Sequence, residues 1–366
     1  MGGMVIMIKS EDIIHPGQVL AKILERENMS QKELSVRTGV TEKHISTVIN
    51  GKKNISASFA KKLEYALPEN MSFWMSHQAE YEAKILEFEE KNDIDSNEIK
   101  ILSFLKDIIS FLEKKEFISK TSHEADVVLE LRKFMGVSNL KVIPEISYGA
   151  AYRAQITENA RVDTYVLYAW KRICERYVAK IDIKNSLDIE NLKNILSDIK
   201  SLMFLEINQI QEKLTVLLAE CGIAFRIVPN FRGAPVQGFI SRREDGKVML
   251  CMTLRQKRAD IFWFSLFHEI GHIINGDADL RFIDFASIKN EAEEAADQFA
   301  RNILIEPEAY RHFLLAGRFS FSSISAFAVK QGVMPYIVIG RLQNEGELDW
   351  SAYSDKFVSY GWACPA

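Results

Sequence analysis

The stretch IFWFSLFHEIGHIINGD sets His268, Glu269 and His272 in the order His-Glu-Ile-Gly-His. On a helix, histidines four residues apart share one face, one turn apart, so both imidazoles reach a single metal ion. Glu269 is rotated by about 100° from His268, near enough to hold a water and act as general base toward it. Apolar neighbours on every side predict a buried helix, where two histidines and a glutamate would be costly without a partner. The chemistry this spacing points to is zinc-dependent hydrolysis.

The third ligand decides the class. A metzincin continues HxxGxxH, but Asn275 and Ala278 stand where that glycine and histidine would be, which excludes it. Downstream, NEAEEAADQFARNILIEP (290–307) supplies carboxylates. Its plain reading is an acidic, solvated helix start favoured by the helix dipole. Helical spacing separates the acids. The apolar face is Ala292, Ala295, Ala296, Phe299, Ala300, Ile303 and Leu304, whose small members would let this helix approach the first closely. Glu293 borders that face. Glu294 lines up with Asp297, Gln298 and Arg301 toward solvent, and Glu291 lies nearer the fraying end. Asp297, one turn after Glu293, can accept a hydrogen bond from a ligand histidine. The expected centre is thus Zn2+ on His268, His272 and Glu293, with Glu269 as base and Asp297 behind a histidine. Tyr310 and His312 are oxyanion candidates or packing residues. Arg258 is a further candidate or equally a salt-bridge residue, His77 reads as a packing or helix-surface residue, and Cys251 as an apolar side chain on an edge strand.

A second constellation runs from Ser30 to Lys53, SQKELSVRTGVTEKHISTVINGKK. Ser30 with Glu33 forms a capping box, Gly39 ends the first helix, and Thr41 caps a second. Ile45, Val48 and Ile49 make its buried stripe. Glu42, Lys43, Ser46 and Thr47 are left on the outer face, near the end that enters a major groove in a helix-turn-helix. Lys43 can donate to guanine, and Thr47 can reach a base edge or a thymine methyl. Gln31, Thr41, Asn50, Lys52 and Lys53 sit nearer the phosphates. Residues 30–62 hold seven basic side chains against two acidic ones, whereas the whole chain carries a net charge of −4. Positive charge is therefore local, as a nucleic-acid surface requires.

These residues need scaffolds. With 366 residues, 47% hydrophobic and 26% charged, the chain has the balance of a globular protein of two or three domains, not of a disordered one. Helical periodicity covers 72–91, 99–116, 122–136, 162–179 and 187–220, with NDIDSNE (92–98) as a linker. IAFRIVP (223–229), VQGFIS (236–241) and KVMLCMTL (247–254) read as strands, with Glu244-Asp245-Gly246 as a hairpin turn. From 259 the pattern is helical almost to the end. The fold class is α+β, predominantly α. The longest apolar runs are too short to span a bilayer, and the start lacks the pattern of a signal peptide. Four scattered cysteines without CxxC spacing favour a reducing cytoplasm.

Two resemblances sharpen this reading. HPGQVL from His15, the Ser30–Lys53 segment, INGKK and SFW…HQAEYE resemble the HigA-type antitoxin branch of the XRE/Cro repressor family, over about residues 14–90. That resemblance implies binding of double-stranded operator DNA as a homodimer, with autoregulation. The strands, the FWFSLFHEIGHIINGD helix, the ExxADQFARNILI-P segment and SISAFAVKQGVMPYIVIGRLQNEG (323–346) resemble the ImmA/IrrE metallo-endopeptidases, from about residue 120 onward. This implies a gluzincin-like zinc peptidase core acting on a partner repressor, in a toxin-antitoxin, mobile-element or stress circuit. The domains are then 1–70, a helix-turn-helix; 71–120, a helical connector; and 121–366, the peptidase, with its sheet and HExxH core over about 221–310. The alternative is an antitoxin or repressor, with a toxin as partner, whose zinc domain senses or scaffolds without hydrolysis.

Overall fold

The computed structural model describes residues 13–146, 162–243, 246–276 and 291–361. It is α+β and predominantly α, with one small three-stranded sheet among the described residues. The chain divides into two compact units, Met1–Ser103 with Glu113–Lys133, and Phe104–Leu112 with Phe134–Ala366. The sequence suggested a helix-turn-helix domain and a peptidase domain joined by a connector at 71–120; of that stretch, 71–103 and 113–120 fall in the first unit and 104–112 in the second.

In that unit, α1 (Pro16–Arg26), α2 (Gln31–Thr38), α3 (Glu42–Ile49), α4 (Ala57–Ala66) and α5 (Met71–Asn92) follow one another with short joints. Each start is marked by a side chain that accepts an orphan backbone N–H. His15 Nδ1 takes the Gly17 N–H at 2.9 Å, Ser30 Oγ that of Glu33 at 3.1 Å, and Thr41 Oγ1 that of His44 at 3.3 Å. Gly39, at φ 64°, closes α2. The capping box is only half made, since the Glu33 carboxylate turns instead to Arg37 at 2.5 Å. Leu20, Leu34, Ile45, Val48 and Leu63 form the core, and Trp74 from α5 is buried among them. The buried Gln78 holds α5 in place by accepting the Ile55 N–H at 2.8 Å. The expected linker is short: α6 (Ser96–Ile101) begins inside it, capped by Asp95. Glu98, fully buried, receives two guanidinium N–H bonds from Arg132, at 2.8 and 2.6 Å.

The second unit places its sheet between helices. Strands β1 (Ile223–Val228), β2 (Gly238–Arg242) and β3 (Val248–Thr253) lie in the order β1-β3-β2, with β3 parallel to β1 and antiparallel to β2. Cys251 therefore sits on the central strand, not on an edge as its sequence suggested, and β3 is buried throughout because both its faces are covered. Phe225, Ile240, Leu250 and Met252 face the large core, while Phe239 on the other face meets Trp170 of a helix at Thr164–Val178. The β2–β3 link closes with the Arg243 N–H on the Lys247 carbonyl at 2.8 Å and Gly246 at φ 79°. Glu244 and Asp245 of the expected turn lie outside the described residues.

Among the described residues helices then return, as the periodicity predicted, up to Asn344; 277–290 lie outside the described residues, and 345–361 form a strap whose one helical element is a 3-10 turn at Ser354–Lys356. No single described helix is long and apolar enough to cross a membrane.

Packing in the first unit makes a signed prediction. A Cβ at Gly17 would lie 1.8 Å from the Val48 carbonyl oxygen. At an open helical site, Gly→Ala stabilises by about 1 kcal/mol. Gly17→Ala should instead destabilise the first unit by about 2 kcal/mol, seen as an earlier transition in urea denaturation; a later one would refute this packing.

Candidate metal centre and nucleic-acid interface

The HExxH helix (Ala259–Asn275) has no side-chain cap at its start. The strap supplies one: the Ala259 N–H donates to the Val358 carbonyl at 2.9 Å, and Trp263 Nε1 donates to the Tyr360 hydroxyl at 2.8 Å. Arg258 just before it makes a two-pronged pair with Asp260, at 3.0 and 2.7 Å, donates to Gln343 Oε1 at 3.4 Å and lies over the Phe357 ring. Gly276, at φ 86°, ends the helix. The next described helix, Glu291–Leu304, packs along it. Ala296 and Ala300 are fully buried in that contact, and Gly271 faces Ala296 and Phe299. Ala295, expected on this buried face, is exposed. The face is narrower than the sequence suggested, and centred on Ala296 and Ala300.

This approach brings His268, His272 and Glu293 together, with one donor atom from each lying within 4.8 Å of the others. The two Nε2 atoms are 3.1 Å apart; the Glu293 carboxylate oxygens lie 3.2 Å from His268 Nε2 and 3.5 Å from His272 Nε2. Four ligands on zinc at bond lengths near 2.0–2.1 Å stand about 3.3 Å from one another. Two imidazole nitrogens and one carboxylate at these separations fit a zinc ion. Burial would raise the Glu293 pKa, but hydrogen bonds and charge from His268 and His272 overcome it and hold the carboxyl down at about 2. Glu291 is exposed, and Glu294, with 77% of its side chain exposed, sits 3.8 Å from Arg301.

Asp297 Oδ1 lies 2.9 Å from His268 Nδ1. An N–H donated there leaves the Nε2 lone pair aimed toward Glu293 and His272, and fixes the ring plane. Glu269 is fully buried, and its carboxylate lies against Gly238 of β2, where a Cβ would come within 2.0 Å of Oε1. Sequence reasoning missed Gly238. The signal was a glycine inside a strand pattern, which marks a close approach. Tyr310 is buried, donates to Glu345 at 2.8 Å and lies beneath the Arg341 guanidinium, so it packs; His312 is exposed. The His77 ring packs tilted against Phe73 one turn away, with centroids 4.2 Å apart. A cavity of about 550 Å³ opens beside the centre, bounded there by His268, Glu293 and Asp297.

On the first unit, Glu42 and Lys43 are exposed on the first turn of α3, with Ser46 and Thr47 half-buried behind them. The Thr47 hydroxyl donates to the His44 carbonyl at 2.7 Å, which leaves its methyl available for an apolar contact. Asn50 closes the helix by donating to the Ser46 carbonyl at 2.8 Å. Gln31 stands half-buried in the first turn of α2, while Thr41, Lys52 and Lys53 are exposed.

Residues 20–74 match the helix-turn-helix family model, so the first unit carries a helix-turn-helix domain of the XRE type. No curated protein matches the chain significantly. Among solved structures, one described as an antidote protein of a plasmid maintenance system from Nostoc punctiforme is 29% identical. It covers 22% of this chain and 88% of its own, with a TM-score of 0.21. An addiction module antidote protein of a HigA family from Coxiella burnetii is 24% identical, covering 23% of this chain and 96% of its own, also at a TM-score of 0.21.

The geometry ranks the acids. Glu293→Ala should remove most of the zinc affinity, Asp297→Ala should lower it by about 10- to 100-fold, and Glu291→Ala and Glu294→Ala should leave it unchanged. Competition with a zinc chelator gives the order; damage from Glu294→Ala rather than Glu293→Ala would contradict this centre.

Proposed function

We propose that the chain is a cytoplasmic, DNA-binding transcriptional regulator that also carries a zinc-dependent endopeptidase. The convergence of His268, His272 and Glu293 beside Glu269 supports this reading most strongly. The three side chains would hold a zinc ion, which when bound supplies a Lewis acid that polarises a peptide carbonyl and acidifies water. Glu269, carried one residue after His268, accepts the proton of the attacking water and returns it to the leaving amine. Asp297 keeps His268 in the tautomer and orientation that the site needs. Gly238 leaves the space that the Glu269 carboxylate occupies. The protein substrate is a partner regulatory protein of a toxin-antitoxin, mobile-element or stress circuit. Buried free thiols at Cys174, Cys221 and Cys251 suit a reducing compartment.

For the helix-turn-helix, the proposed partner is double-stranded operator DNA, bound as a homodimer. Lys43 and Thr47 read base edges, and Gln31, Thr41, Asn50, Lys52 and Lys53 meet the backbone; Glu42 stands beside them on the same turn. One observation favours the non-hydrolytic alternative, an antitoxin or repressor with a sensing or scaffolding zinc domain: Glu269 is fully buried, and the described wall of the cavity includes His268 and Glu293 but not Glu269.

The two readings separate on Glu269. Glu269→Gln should keep stoichiometric zinc and operator binding and abolish cleavage of the partner in the host; retained wild-type activity would favour the scaffold. For DNA, Lys43→Ala should cost about 1–3 kcal/mol and relax sequence preference. Lys52→Ala should weaken all sequences alike and flatten the salt dependence. Electrophoretic mobility shifts over a salt series measure both, and a Lys52→Ala effect confined to one sequence would refute its backbone role.

A further inference from the structure

The cavity beside the metal centre extends well beyond it, along three helices. Upstream of His268, the HExxH helix keeps partial exposure only at Ile261, Phe264 and Ser265, and these three line the cavity. The Glu291–Leu304 helix faces it with Leu304, and the Pro335–Asn344 helix with Ile337 and Gly340. At Gly340 a Cβ would lie 2.4 Å from Asp260 Oδ2, so the absence of a side chain lets that helix sit against the start of the HExxH helix.

Trp350 lines the same cavity while 63% exposed, which places it at the rim. Its loop is not slack. Gln343, 2% exposed, donates through Nε2 toward the carbonyls of Asp349, Trp350 and Ala352 at 3.3, 3.2 and 2.9 Å. An exposed indole on a held backbone presents a large apolar surface at little entropic cost on contact, the usual character of a binding hot spot.

The charges in the wall favour an uncharged occupant. Arg258 is paired with Asp260, Arg341 with Glu345 at 3.0 Å, and Arg301 lies 3.8 Å from both Glu294 and Asp297. Each guanidinium among the described lining residues thus has a carboxylate beside it. The remaining carboxylate, Glu293, belongs to the metal centre. A volume of about 550 Å³ is that of a small-ligand site.

We infer that this cavity is a specificity pocket for a bulky uncharged side chain, aromatic or long aliphatic, of the peptide held at the metal centre, and that Trp350 is a specificity-determining residue that packs on it. The inference rests on the proposed hydrolytic reading for its substrate, a polypeptide, but its test does not need turnover.

The probes are capped, fluorescein-labelled Gly-Ala octapeptides with one central Phe, Leu, Lys, Asp or Ala. Fluorescence anisotropy with the zinc-loaded, full-length Glu269→Gln protein should rank Phe and Leu above Ala, with Lys and Asp no better than Ala. Adding Trp350→Ala, a change at an exposed position, should weaken the Phe peptide by about tenfold and leave the Ala peptide little changed. Equal affinity for all five, or a Phe preference that survives Trp350→Ala, would overturn the pocket. Incubating the wild-type protein with the same peptides tests the other reading. Preference without cleavage keeps the pocket and counts against hydrolysis; cleavage without preference keeps hydrolysis and removes the pocket; neither binding nor cleavage removes both.

Discussion

A methyl group at Gly271 would sit 3.1 Å from the Phe299 ring and 3.2 Å from the Ala296 Cα. With hydrogen there instead, and with methyls at Ala296 and Ala300, two helices close to a distance at which a carboxylate on one reaches two imidazoles on the other. The convergence of His268, His272 and Glu293 depends on that contact. Glu293 borders the small-residue face of its helix, and His268 and His272 share one face of theirs, so the approach of the backbones sets where the three donor atoms meet. Asp297 adds the orientation that distance alone does not supply, since a histidine ring can rotate until its second nitrogen is fixed.

The rest of the second unit bears on this contact from outside. The HExxH helix begins without a side-chain cap, and the strap at 357–360 takes over that role through the Val358 carbonyl, while its Tyr360 hydroxyl accepts from the Trp263 indole. The sheet bears on it through Gly238, whose missing side chain is the space beside the Glu269 carboxylate. A buried carboxylate is costly to hold in an apolar interior. Its retention at zero exposure is the kind of local cost that proteins keep at functional sites rather than in ordinary cores.

Much of this was legible in the residues because helical periodicity carries it. The four-residue spacing of the histidines, the approach of Glu293 rather than its neighbours to them, and the position of Asp297 all follow from which residues share a helix face. The helix-turn-helix was legible for a similar reason: Ser30, Gly39 and Thr41 act on backbone groups within a few residues of themselves. What was not legible depends on contacts between distant segments. Cys251 lies on the central strand only because β1 pairs in parallel with β3, an order that no local pattern records. One local exception is Glu33, which leaves the capping box for Arg37, one turn away on the same helix. The strap after Asn344 and the anchoring of its carbonyls by Gln343 join segments without a shared periodicity. Trp74, assigned by sequence to a connector, is core because α5 folds back on the first four helices.

The central claim is that two imidazoles and one carboxylate meet on a single zinc ion. X-ray absorption at the zinc edge of the full-length, zinc-loaded protein tests it most directly. The account predicts a first shell of nitrogen and oxygen at about 2.0–2.1 Å, with the outer-shell scattering of two imidazole rings. A shell containing sulfur at about 2.3 Å, or one without imidazole scattering, would contradict it.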